Sequence, residues 1–161
     1  SILRRSLYFT VHAEALGGMQ FLQLFDAADP CDAYRRGESL VPQQALGMIN
    51  SRLLVNSGRS LTGELLKELT RESGEGSNSK SQQFVTAAFE TILCRRPTAA
   101  ESQLCLLFLD RQVALFVSAN PKELNPTATS GLVPAAADPN HRALESLVRT
   151  LFNHNDFVTI K

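Results

Sequence analysis

The sequence predicts a mainly α fold, a helical domain of about five helices with a central antiparallel helix hairpin and a small two-stranded pairing of the termini. Three observations predict it. After Pro42, apolar residues recur at helical spacing through most of the chain. Helix-start signals at Thr98 with Glu101, and at Asp138-Pro139, stand just ahead of such stripes. Strict alternation occurs only near the two ends.

Leu7, Phe9 and Val11 alternate with Ser6, Tyr8 and Thr10, which reads as a short strand over residues 3–11. Gly17-Gly18 ends it, and the apolar residues 19–25 suit a helical turn or two. Asp26-Ala27-Ala28-Asp29-Pro30 is a turn: the residue before proline is pushed out of the α region, and aspartate bonds local amides. Pro42 suits the first helical position, behind a weak cap at Val41, and Ala45, Leu46, Ile49 and Leu53 share a face. Asn50-Ser51 offers a fresh cap, so the helix breaks there and a second runs to about Leu69. Its apolar face is Leu54, Leu61, Leu65 and Leu69, with Gly58 admitting a close neighbour.

Residues 71–80 read as a flexible polar loop. Ser79 and Gln82 fit a capping box for a third helix with the stripe Phe84, Val85, Ala88, Phe89, Ile92 and Leu93. Arg95-Arg96 complement its negative end, and Pro97 stops it. Thr98 with Glu101 opens a fourth helix, carrying Leu104, Cys105, Phe108, Leu109, Leu115 and Phe116 and ending near Ser118. So short a connection predicts an antiparallel hairpin. Residues 119–139 are a proline-rich loop. Asp138-Pro139 then caps a last helix with Leu144, Leu147, Val148, Leu151 and Phe152 inward, and residues 157–160 alternate as a strand.

The 161 residues suit a single helical domain, read as a piece of a longer protein since the chain opens on Ser1, and the resemblance described below makes that piece a C-terminal fragment. Sixteen basic residues balance sixteen acidic ones, which argues against a general nucleic-acid or anionic-membrane binder. No run approaches the roughly 18 apolar residues of a membrane span. Cys31, Cys94 and Cys105 lack C-x-x-C or C-x-x-C-H spacing, so no haem or zinc cofactor is expected in this segment. A hairpin would bring Cys94 and Cys105 near each other, though buried small hydrophobes are the default reading of both.

Residues 25–54 concentrate the candidate polar cluster: Asp26, Asp29, Arg35, Arg36, Gln43 and Asn50, with Arg4 and Arg5 as further members. Two acids three apart suit metal ligation or acid–base work. The plainer reading is a buried network in which arginine pairs with aspartate while Gln and Asn satisfy backbone groups. The histidines are scattered, with His154 placed for a charge–dipole contact at a helix end. No G-x-S-x-G elbow or phosphate-binding glycine loop is present, so no catalytic or metal residue is assigned.

Six blocks occur in order: Arg4-Arg5-Ser6-Leu7-Tyr8, Phe25-Asp26-Ala27, Arg35-Arg36, Val41-Pro42-Gln43-Gln44-Ala45-Leu46 with Asn50, Arg95-Arg96-Pro97-Thr98 with Glu101, and residues 151–157. Together they resemble the C-terminal domain of unknown function of large planctomycete surface proteins. Val41 stands where the family commonly has threonine, and Asp156 where it has glutamate. The resemblance implies an extracytoplasmic setting, periplasmic or cell surface, and an upstream region that often carries a cytochrome-c-like haem segment. It implies no reaction.

Two functions of different class follow as expectations. One is a non-catalytic structural or interaction module whose partner is the upstream region of its own protein or a surface partner. The other is a carbohydrate-binding or hydrolytic site around Asp26 and Asp29 with Arg35 and Arg36.

Overall fold

The computed structural model describes residues 42–72, 77–119 and 131–158. The predicted strand at 3–11, the turn at 26–30 and Cys31 lie outside them. The chain divides into two compact units, Ser1–Met48 and Ile49–Lys161. Of the first, the described part is the start of a helix.

Six helices make up the regular structure of the described residues: α1 Pro42–Asn50, α2 Arg52–Glu72, α3 Ser77–Leu93, α4 Ala99–Ser118, α5 Pro139–Leu151 and α6 Asn155–Val158. The fold is mainly α, as expected. The break between α1 and α2 falls at Ser51, whose carbonyl accepts from Val55 N at 3.0 Å and so starts the second helix. Thr98 caps α4 in a complete capping box, and Asp138 caps α5 by accepting from His141 N, with Pro139 in the first turn.

Four expectations are corrected. Residues 71–80 are not one loop: Arg71 and Glu72 extend α2, and α3 already begins at Ser77. Arginine and glutamate are strong helix formers that prolong α2. Residues 157–160 do not start a strand, because Phe157 and Val158 belong to α6. There Phe157 N donates to His154 O, and the Phe157 ring packs 5.2 Å from that of Phe152. On α1, Leu46 and Ile49 are exposed while Gln44 and Met48 are buried. Finally, Leu104 and Leu115 of α4 are 65% and 58% exposed.

The core of the Ile49–Lys161 unit joins α2, α3, α4 and α5. All six residues of the predicted α3 stripe, Phe84, Val85, Ala88, Phe89, Ile92 and Leu93, are buried in it. From α5 come Ala143, Leu147, Val148 and Leu151; Leu65 and Leu109 represent α2 and α4. Helices α3 and α4 pack as the expected hairpin, while α5 lies along both α4 and α2 and also reaches α3. Gly58 of α2 is buried where α5 passes, and a Cβ there would stand 3.6 Å from Val148 and Phe152. The fully buried Thr62 donates its hydroxyl to Gly58 O at 2.8 Å, so no buried hydroxyl is left unpaired at this crossing.

Candidate functional site

Two groups of charged side chains stand out in the Ile49–Lys161 unit. The first surrounds the connection between α3 and α4. Helix α3 ends at Leu93, and Cys94 takes the left-handed conformation (φ 54°) that commonly follows a helix C-terminus. That turn delivers Arg95 to the end of α4. Its Nη1 and Nη2 donate to the two carboxylate oxygens of Glu101 at 2.9 and 2.6 Å, a bidentate pair. Its Nε donates to Asp156 Oδ2 at 3.0 Å, and its guanidinium lies 5.5 Å from the centre of the Phe89 ring.

Glu101 is engaged twice, because its carboxylate also accepts from Thr98 N at 2.7 Å and from the Thr98 hydroxyl at 2.8 Å. The Arg95 guanidinium, followed by the Thr98 amide, holds the Glu101 carboxyl at about 2, well below its usual value. The same two acids push the Arg95 guanidinium further up. His154 completes the arrangement. Its Nδ1 accepts from Asp156 N at 3.1 Å, so the imidazole caps the start of α6. Arg95, Glu101 and Asp156 thus clasp the α3–α4 connection to α6.

The second group lines a cleft of about 200 Å³ between α2 and α5, closed at the sides by Phe116 of α4 and Ala135. Segment 131–138 is held against α2 by Asn56, which donates to Gly131 O and accepts from Val133 N, each at 2.9 Å. Gly131 has φ +93°, a conformation that favours glycine. Arg59, which also donates to Val133 O, enters the cleft from α2; Arg142, Glu145 and Arg149 enter from one face of α5. Glu145 lies 3.8 Å from Arg59 Nε and accepts from Ala136 N at 3.2 Å.

A family profile described as a protein of unknown function, DUF1553 (PSD1), matches residues 1–109 of the 161. The chain belongs to this family. No curated protein and no solved structure matches it. The DUF1553 match covers Arg59, Arg95 and Glu101, whereas Asp156, Arg142, Glu145 and Arg149 lie beyond it.

Of the residues named from the sequence, Asp26, Asp29, Arg35 and Arg36, with Arg4 and Arg5, lie outside the described residues. Gln43 is the second residue of α1, and Asn50 is its exposed last residue. Arg95 and Glu101 were legible as a helix-end cation and a capping acid, but not as partners of each other and of Asp156. The arginines of the cleft carried one unused signal: Arg142, Glu145 and Arg149 fall three, four and seven apart, on one helical face.

Cys94 and Cys105 are free thiols. Cys94 is exposed, which corrects its reading as a buried small hydrophobe, while burial pushes the Cys105 thiol up, with the Glu101 charge adding to it. Among the described residues no three His, Cys, Asp or Glu side chains come together to hold a metal ion, and no helix is long and apolar enough to cross a membrane.

Proposed function

We propose that this DUF1553 chain is a non-catalytic structural and interaction module of a larger extracytoplasmic protein, and that its partner is the upstream region of that same protein. The observation that supports this reading is the clasp. A reaction centre needs a charged group left over for substrate, yet Arg95 directs Nε, Nη1 and Nη2 at Asp156 and Glu101, and Glu101 turns both oxygens back on Arg95 and Thr98. The best-formed polar group of the described residues is occupied in joining helices.

The test has two arms. Thermal melts of the chain with divalent metals, a chelator, and acidic and neutral oligosaccharides are expected to coincide. A ligand at 100 times its Kd would stabilise by about 2.7 kcal/mol, well within detection. In the second arm, the upstream region of the parent protein, expressed separately, is expected to form a complex with this chain by calorimetry. A thermal shift that Asp26→Asn abolishes without unfolding the chain would overturn the proposal in favour of a site around Asp26.

A further inference from the structure

We propose that a second pocket, where α4, Ile49 and the connection from α5 to α6 meet, binds the free carboxylate of an N-acylated apolar amino acid, the chemistry of a peptide C-terminus. Its lining belongs wholly to the Ile49–Lys161 unit. At about 610 Å³ it falls within the roughly 300–1,000 Å³ of small-molecule sites. Phe108 of α4 and Ile49 supply an apolar wall, and among the described residues no aspartate or glutamate lines it. Its two hydroxyls are engaged already: Ser146 donates to Arg142 O at 3.1 Å, and Thr150 to Ser146 O at 2.9 Å. Recognition therefore falls to Arg149, Asn153 and His154.

Arg149 donates through Nε at 3.1 Å and Nη2 at 2.5 Å to Ile49 O, a carbonyl in the last turn of α1. That contact fixes the guanidinium plane, leaves Nη1 out, and sets a carbonyl dipole, not a full negative charge, against the cation. Among the described residues Arg149 enters no ion pair. A fork held in this way loses little freedom when a carboxylate arrives. His154 adds a neutral donor, because Nδ1 accepts from Asp156 N and the ring proton therefore sits on Nε2. One cation beside one neutral donor matches a single negative charge; the nearly two charges of a phosphate monoester would be only half answered. Asn153 supplies the last constraint. Its Oδ1 is buried without a hydrogen-bond partner, a costly state for an acceptor. The terminal torsion of asparagine is soft, so the amide can turn towards the opening and accept an N–H. An acylated amino acid carries that N–H on the carbon that bears its carboxylate, and its apolar side chain suits Phe108 and Ile49.

Amide NMR spectra of the whole chain, titrated with N-acetyl-leucine, test this. Saturating shifts centred on residues 146–155 are expected, with a Kd of roughly millimolar for so small a ligand. N-acetyl-leucinamide, which lacks the charge, should bind at least about tenfold more weakly. 4-Methylpentanoate, which keeps the carboxylate and apolar body but lacks the N–H, should bind about fivefold more weakly. In Asn153→Leu that second difference should vanish. Thr150→Glu places an acid on the exposed rim and should abolish binding, whereas Thr70→Glu, the same change at an exposed position of α2, should leave it intact. Acetyl-Gly-Gly-Leu separates the sources: tighter binding than N-acetyl-leucine names a peptide end, and equal binding names the single acylated residue. The same spectra report whether each variant is folded; should Asn153→Leu unfold, the leucinamide and Thr150→Glu still decide. Absence of saturation, equal binding of acid and amide, undiminished binding by Thr150→Glu, or an N–H preference that persists in folded Asn153→Leu would overturn the proposal.

Discussion

At the scale of the residue, Glu101 concentrates more roles than any other side chain described. It closes a capping box, accepts a bidentate arginine and, through that arginine, is linked to Asp156. Its carboxyl is held at about 2 against the usual 4.5, first by the Arg95 hydrogen bonds and then by the Thr98 amide. A folded-state value below the unfolded one means that the folded chain prefers the ionised form, so the contribution is complete above pH 4.5 and fades as pH falls towards 2. Thermal midpoints measured from pH 6 downwards should therefore drop across that window in the native chain. In Glu101→Gln the curve should start lower at pH 6 and run flatter below 4.5. Parallel curves for the two proteins would show that the clasp contributes nothing to acid sensitivity.

Helix boundaries were legible where the chemistry is local. Ser51, Thr98 with Glu101, and Asp138-Pro139 each act on amides within four residues, so their effect can be read along the chain. Partnerships across the fold were not legible in this way: Arg95 and Asp156 stand 61 positions apart, and no local rule pairs them. The α2 helix shows the same division. Its glycines look equivalent in sequence, but a Cβ on Gly58 would touch Val148 and Phe152 at 3.6 Å, whereas one on Gly63 would meet nothing within 4 Å. Glycine costs a helix interior about 1 kcal/mol relative to alanine. Gly63→Ala should accordingly stabilise the chain by about that amount in urea denaturation. Gly58→Ala should gain no more than this, since the added methyl meets side chains already in van der Waals contact range. A destabilised Gly63→Ala would mean that α2 is not continuous through that point.

For the whole unit, the question is which sides of the apolar helices face the core. The stripes of α3 and α5 were correctly located from the sequence because polar residues bound them, so only one phase of each helix is apolar. Helix α4 gives no such choice. Leu104, Leu106, Leu107, Phe108, Leu109, Leu115, Phe116 and Val117 go most of the way round it, and periodicity alone cannot say which of them turn inward. The answer lies with α5, which packs along α4 and leaves Leu109 buried, Phe108 and Phe116 partly buried, and Leu104 and Leu115 outside. Stability should follow that division. Phe84→Ala removes a ring that is 1% exposed and should cost about 3–5 kcal/mol, a fall in midpoint on the order of 10 °C at this chain length. Leu104→Gln, from an equally apolar stretch, should stay within about 0.5 kcal/mol of the native chain, because the residue it replaces faces outward. Chemical denaturation of the two variants measures the contrast directly. A loss at Leu104 comparable to that at Phe84 would place the outer face of α4 inside a core, and the packing of α5 on α4 would then no longer account for which leucines are buried.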